Sequence, residues 1–502
     1  MTDSIFQHGI ASGDPLPDRV MLWTRLTLPA YEDQQLAWEI ASDPEFRSVI
    51  GSGMATACAD DDHSVHVDAA GLQPGRRYYY RFHALGQTSP VGRTRTLPDR
   101  NVHHIRFAQV SCAKFNAGFF NVYARIADHD DLDFVLHLGD YIYEAANQPP
   151  SGQTPGADIG RPFEPLHECK TLDDYRIRYN QYRRDPDLQR MHAALPIIST
   201  VDDHEFADGA WRGGADVHDE VRDGPWAERV KNALRVRWEW LPIRLPDPAD
   251  PLRVYRSLHF GKLADLFLIS TRIHRDLPVP PPEMHDPNRT ELGLAQRKWL
   301  FDEFNHSDAA WRILGNPSVL GTTWKKDLPE TAKLPLLKTK LIAADGLGPD
   351  YDQWDGYPAE RFLLMKHIRD HKLGNFVVLS GDIHVCLAQE LKMDPFDPTQ
   401  KAVAVECVNS SITSQNFDDK MKWAPRTKSV EHEQELLRLF PEMKYIDLDS
   451  HGYNLVDVTP ERVQVEWWNV DTVLTRTRNE WRGAAFQIES GKPALVPVTG
   501  DT

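Results

Sequence analysis

Four short apolar runs in this chain each stop at a small cluster of metal-ligand side chains, which confines the fold to a sheet whose strand ends converge. The run 106–110 leads into Ser111-Cys112, and 133–138 leads into Gly139-Asp140-Tyr141-Ile142-Tyr143-Glu144. The run 196–201 leads into Asp202-Asp203-His204-Glu205, and 375–379 leads into Gly381-Asp382-Ile383-His384. In an open α/β sheet, ligands bind in the crevice beyond the carboxyl ends of the strands. A single Gly-Asp pair is most simply a turn. Four clusters of carboxylate, phenol, thiol and imidazole are much harder to assign to coincidence.

Helical periodicity separates these runs, over 119–128, 172–183, 188–193, 226–240, 291–305 and 357–371. Further strands are expected at 264–270 and 311–315. Alternation of this kind argues for α/β architecture. Residues 1–98 read differently, as short strands at 21–28, 36–40, 64–67 and 78–82 punctuated by Gly, Pro and Asp. Leu72-Gln73-Pro74-Gly75 before the tyrosine-rich run resembles the tyrosine corner of immunoglobulin and fibronectin type III sandwiches. Late in the chain, 402–408 and the hairpin 452–458/463–468 read as a second sheet. The segments 325–356 and 415–450 read as surface insertions without strands.

The 502 residues are 41% hydrophobic and 26% charged, enough for a sizeable core. A formal net charge of −17 excludes general duplex-DNA binding, which needs a basic face. It leaves an anionic substrate open, because bound cations can invert the field of one cleft. No stretch reaches the roughly 20 apolar residues of a membrane-spanning helix. The five cysteines, at 58, 112, 169, 386 and 407, are odd in number and form no CxxC, so neither a disulfide scaffold nor a zinc ribbon is expected. Cys169, Cys386 and Cys407 read as buried small hydrophobes.

The ordered motifs Gly-Asp-x-x-Tyr, x-Asp-His-Glu and Gly-Asp-x-His resemble the calcineurin-like metallophosphoesterases, specifically the PhoD-type alkaline phosphatase/phosphodiesterase branch. Phe6 to Pro15 with Val20 to Arg25, and Trp354-Asp355-Gly356-Tyr357, extend the resemblance from about residue 6 to about 475. It implies an immunoglobulin-like sandwich over 1–98, then a four-layered α/β/β/α catalytic domain over 99–502. It also implies a centre of ferric iron and calcium. On this reading Asp140 bridges the two ions, and Cys112, Tyr143 and His384 bind iron. Asp203 and Asp382 bind calcium, with Asp202 a weaker further candidate. The donor types agree: thiolate, phenolate and imidazole suit a transition metal, and a carboxylate-rich pocket suits a hard cation. Manganese or zinc at the second position fits nearly as well.

The resemblance implies a metal-dependent hydrolase of small phosphate esters or phospholipids, monoester, diester or both, with a metal-bound hydroxide as nucleophile. His204 is expected to stabilise charge or protonate the leaving group. Asn316 is a candidate substrate contact. Arg272 and Arg275 resemble the family's Asp-x-Arg-x-x-Arg stretch, where an arginine fork can hold phosphate, but are expected mainly as a surface ion pair, and Ser270 stands where the family usually carries Asp. His451 is a candidate for the pocket wall. The alternatives are phospholipase D-like headgroup hydrolysis at the same site, and a non-enzymatic surface-binding protein with a degenerate metal site. The resemblance implies export, to the periplasm or medium, if a signal was removed; a chain complete as given would be cytoplasmic.

Overall fold

The computed structural model describes residues 4–146, 159–325, 327–344, 346, 348–395, 397 and 399–498. Two large mixed sheets share one apolar core. The first has ten strands, in the order Val496–Pro497, Glu480–Glu489, Arg462–Val470, Gly452–Val458, Ile105–Val110, Phe134–His137, Ile197–Ser199, Ile10–Leu16, Arg19–Arg25, Ser64–Ala70. The second has seven: Arg256–Phe260, Ala264–Leu268, Trp311–Asn316, Phe376–Ser380, Ala404–Val408, Cys386–Leu391, Met443–Asp447.

Strand alternation explains why both sheets are sandwiched. In Ile105–Val110, Ile105 and Phe107 enter the core shared with the second sheet. Ala108 and Val110 instead pack with residues of the helices Asn121–Asp128, Leu172–Arg183 and Trp226–Trp240. In Phe376–Ser380, Val377 and Leu379 enter the shared core, whereas Phe376 and Val378 meet the helices Leu294–His306 and Pro358–Asp370. Strands apolar on both faces are what a buried parallel array requires. Ile105–Val110, Phe134–His137 and Ile197–Ser199 are parallel neighbours, so three of the four ligand clusters leave adjacent strand ends. Gln109 ties the sheets together beneath them, donating to the Ser380 carbonyl at 2.8 Å and to Asn409 Oδ1 at 3.1 Å.

The N-terminal β region contributes a smaller sheet of Val49–Ala57, Gln34–Ala41, Arg77–Ala84 and Gln87–Thr88, with Gly92–Arg95 on Arg77–Ala84. The tyrosine corner is present: Tyr78 Oη accepts the Gln73 backbone N–H at 2.8 Å. The remaining strands of this region belong to the ten-stranded sheet. Ile10–Leu16 runs parallel to Ile197–Ser199 with Gly13 opposite Ile197. A Cβ at Gly13 would lie 2.5 Å from the Pro242 carbonyl and 2.7 Å from that of Ile197, so only glycine permits the approach.

Two expectations are corrected. The late strands do not make one sheet: Ala404–Val408 joins the seven-stranded sheet, while Gly452–Val458 pairs antiparallel with Ile105–Val110 in the other. The segments 325–356 and 415–450 are not plain insertions. They carry the helices Glu330–Lys338 and Ser429–Leu439 and the edge strand Met443–Asp447, packed around Leu336, Leu436, Phe440 and Ile446. Positions 326, 345 and 347 of the first lie outside the described residues. Among the described residues no helix is long and apolar enough to cross a membrane.

Candidate metal centre

The strand ends turn sharply where the ligand-type residues sit. Cys112, Asp140, Asp382 and His384 all have positive φ, at 62°, 54°, 69° and 62°. Non-glycine residues adopt this region at a cost of order 1–3 kcal/mol, and such positions concentrate at functional sites. Gly139 precedes Asp140 at φ 111°, where a Cβ would lie 2.5 Å from the Cβ of Asp202. Turns this tight aim successive side chains from different strands at one point.

Three overlapping groups result. Cys112, Asp140 and His384 offer ligand atoms all within 4.8 Å of one another; so do Asp140, Asp202, Asp203 and Asp382, and so do Asp140, Asp203 and His204. Asp140 is common to all three. Tyr143 joins the first group: its Oη donates to Asp140 Oδ2 at 2.8 Å, lies 3.2 Å from His384 Nε2 and accepts from Ser414 Oγ at 2.6 Å. His384 Nδ1 donates to the Gln415 carbonyl at 3.1 Å. That bond leaves Nε2 with its lone pair toward the cluster, the tautomer of a ligating imidazole.

The electrostatics fit a cation. Burial raises the Cys112 thiol well above its ordinary range, and the Asp140 carboxylate raises it further. Burial, then Asp140 and Cys112, raise the Tyr143 phenol in the same way. Asp140 and Asp202 are driven well up by burial and by the neighbouring carboxylates. A positive ion placed among these groups reverses all four shifts at once. The donor set of thiol, phenol, imidazole and carboxylate beside a purely carboxylate set therefore suits two cations of different hardness.

One cation of the chain's own reaches the carboxylate set. Arg272 is wholly buried, and the expectation of a surface ion pair is corrected. Its guanidinium bonds Asp202, Asp352 at 2.6 Å and Asp382 at 3.0 Å, and approaches Asp203 at 3.8 Å. Arg275, equally buried, binds Asp352 Oδ1 at 2.5 Å and the Ala210 carbonyl at 3.0 Å. The pair acts as an internal brace that spaces the carboxylates. Ser270 contributes its backbone to Gln296, and its Oγ has no partner among the described residues.

His204 belongs to the group with Asp140 and Asp203, and its ring lies 4.0 Å from that of Tyr143. Its Nδ1 and Glu144 Oε2 are 2.7 Å apart. Burial alone would lower its pKa; Glu144, Asp140 and Asp203 together hold it well above the ordinary value. Glu205, the last residue of the motif, faces inward, accepting the backbone N–H groups of Asp140, Tyr141 and Asp202 at 3.0, 2.6 and 2.7 Å. A cavity of about 300 Å³ opens above, lined by Tyr143, His204, His384 and Ser414 among others.

The structure thus brings Cys112, Asp140, Tyr143, Asp202, Asp203, His204, Asp382 and His384 together. It does not bring Asn316, which is fully buried and bonds Ser380 Oγ at 3.1 Å, the Ser318 carbonyl and the Trp354 indole N–H at 3.1 Å. His451 also lies off the cavity, between Ser411 Oγ at 3.0 Å and Asp419 Oδ2 at 3.1 Å. Cys169, Cys386 and Cys407 are buried. Glu144, Asp352 and Ser414 received no role from the sequence reading. Glu144 closes the Gly-Asp-x-x-Tyr motif and Asp352 lies two residues before Trp354, so adjacency was the available signal; Ser414 carried none.

Comparison with known proteins follows the same lines. Residues 107–467 match the family of PhoD-like phosphatases, and residues 1–98 match the N-terminal domain of PhoD-like phosphatases. Alkaline phosphatase D of Bacillus subtilis (strain 168) is 34% identical over 522 aligned residues, covering 99% of this chain and 83% of that protein. A solved structure of PhoD superposes with a TM-score of 0.86 at 31% identity, covering 100% of this chain and 94% of that one.

Proposed function

The chain belongs to the PhoD-like phosphatase family and is an enzyme that hydrolyses phosphoesters; from that premise we propose that it works through a two-cation centre with water, not a side chain, as the attacking group. The observation that carries this reading is the set of ligand groups that share Asp140. Cys112, Tyr143, His384 and Asp140 would hold ferric iron. Asp140, Asp203 and Asp382, with Asp202 behind them, would hold calcium. When bound, such ions ionise water near neutral pH and neutralise the phosphoryl oxygens during in-line displacement.

The chain's own residues supply the rest. Glu144 orients His204 and keeps it protonated, so that it can donate to the departing alkoxide. Arg272 and Arg275 fix the carboxylates. Gln109 and Glu205 hold the strand ends from below. A serine nucleophile is disfavoured on geometry. The array Ser411–His451–Asp419 has the right residue types, but Ser411 is fully buried and its Oγ also donates to the Ser414 carbonyl. We read the two sheets with their outer helices as the four-layered α/β/β/α arrangement, and divide the chain at 1–98 and 99–502.

The test is elemental analysis and a visible spectrum of one purified sample, with phosphate release from phenyl phosphate assayed alongside. The expected result is iron near one per chain, calcium present, and a charge-transfer band from thiolate and phenolate. An active protein that is colourless and holds only zinc or manganese overturns the iron–calcium assignment.

A further inference from the structure

We propose that Lys114, Lys340 and Lys420 form a second anion-binding locus at the mouth of the cavity, selecting phosphoesters that carry a further negative group, carboxylate or phosphate, beside the scissile one. This inference rests on the phosphoester-hydrolase reading above and concerns which esters that site takes.

All three lysines line the same cavity as Tyr143, His204 and His384. They arrive from separate parts of the chain: beyond the strand Ile105–Val110, just after the helix Glu330–Lys338, and on the helix Phe417–Met421. In a chain of net charge −17, these three ammonium groups face Glu144, Glu168 and Asp208 around one opening, so cations balance carboxylates there while the chain as a whole is acidic. Lys340 is the compensated member, its ammonium opposed by burial but raised overall by Asp208, Asp203, Asp352 and Asp382, whereas Lys114 and Lys420 have no carboxylate within ion-pair distance among the described residues. Lys340 Nζ lies 3.3 Å from Asp208 Oδ1, on a side chain that is 66% exposed. Lys420 Nζ donates to a backbone carbonyl, that of Lys338, at 2.7 Å. Lys114 Nζ stands 5.4 Å from the centre of the Tyr143 ring. Burial, followed by the repulsion of Lys340 and Lys114, pushes Lys420 down to about 8. Holding like charges together carries an electrostatic cost that a bound anion removes. A cavity of about 300 Å³ exceeds what a bare phosphate group fills, leaving room for the rest of the ester to pass between the lysines.

The experiment is calorimetric titration of the full-length, metal-loaded protein with three non-hydrolysable probes: phenylphosphonate, 4-carboxyphenylphosphonate and 1,4-phenylenebisphosphonate. The doubly anionic probes are expected to bind about tenfold tighter than phenylphosphonate at low salt, with the preference shrinking at about 0.5 M salt. Preference for both identifies any second anion as sufficient; preference for the bisphosphonate alone identifies phosphate. K340M and K420M should each cut the affinity ratio about threefold, and the double variant should remove it. Equal affinity for the three probes, no measurable binding, or a preference that survives in the double variant overturns the inference. Hydrolysis of phenyl phosphate is followed in parallel. Turnover with equal phosphonate affinities sinks this inference alone; intact preference without turnover sinks the hydrolase reading alone.

Discussion

Replacing Glu144 with Gln is the most informative single perturbation of the proposed chemistry. The Glu144 carboxylate is 2% exposed, and its partner His204 is 16% exposed. Gln preserves the shape and one acceptor, so the Asp208 backbone N–H, 2.8 Å from Glu144 Oε1, can keep its bond. What is lost is the charge 2.7 Å from Nδ1. A hydrogen bond to a charged group contributes about 1.5–3 kcal/mol. At 1.4 kcal/mol per factor of ten, the variant should lose about ten- to a hundredfold in kcat on esters whose leaving group needs a proton. The pH profile gives the sign. A histidine raised by its neighbours is protonated below its folded pKa, so activity is lost as pH rises through that value. Removing Glu144 lowers the pKa, and the alkaline limb of kcat must move to lower pH. The assay compares an alkyl phosphate with an activated aryl phosphate, whose departure needs little protonation, over the full pH range and at constant metal content. An equal loss on both substrates, or an alkaline limb that does not move, would refute the role given to the His204 proton.

Four further outcomes are expected. D140N removes the shared carboxylate, so turnover should fall below detection and bound metal should drop in elemental analysis; a fully loaded, active variant contradicts the bridging assignment. C112S should retain native circular dichroism while the visible band shifts or fades, and an unchanged spectrum excludes the thiolate. His8 and His137 are 1% and 0% exposed, and burial lowers each from 6.5 to about 3. Their stabilising contribution is full above 6.5 and is lost as pH falls toward 3, at up to about 1.4 kcal/mol per pH unit for each histidine; urea unfolding of H137Q across this range should show a slope shallower by up to one proton. G13V places carbons against the Pro242 and Ile197 carbonyls and should destabilise by about 2 kcal/mol, read as a lowered Tm, with an unchanged Tm telling against the close strand approach.

The strand-end clusters were legible because each is local. An apolar run followed by Gly-Asp or Asp-Asp-His announces both the strand and its turn, and the helices Leu172–Arg183 and Trp226–Trp240 begin and end where periodicity places them. Sheet membership was not legible. Ala404–Val408 and Gly452–Val458 have the same apolar texture, and only their partners separate them: the nearby Phe376–Ser380 for the first and the distant Ile105–Val110 for the second. Arg272 was misjudged for a related reason. Arginine is almost never fully buried unless paired, and its partners Asp202, Asp352 and Asp382 lie 70, 80 and 110 positions from it. The role of Gln109 was equally hidden, since an amide inside an apolar strand has no meaning until the facing Ser380 carbonyl is known.

The sheet order also sets a timetable for biosynthesis. Ile105–Val110, the strand that delivers Cys112, has Phe134–His137 on one side and Gly452–Val458 on the other. A ribosome has finished one neighbour early but must add more than 300 residues before the other emerges. Until then this strand carries an unsatisfied edge, even though His384, which completes the group around the thiol, has already been made. Pairings of such sequence separation form late and slowly. Stable capture of metal is therefore expected only once this edge is closed, and nascent chains truncated just before residue 450, though they carry every candidate ligand, should retain less bound metal than the full chain.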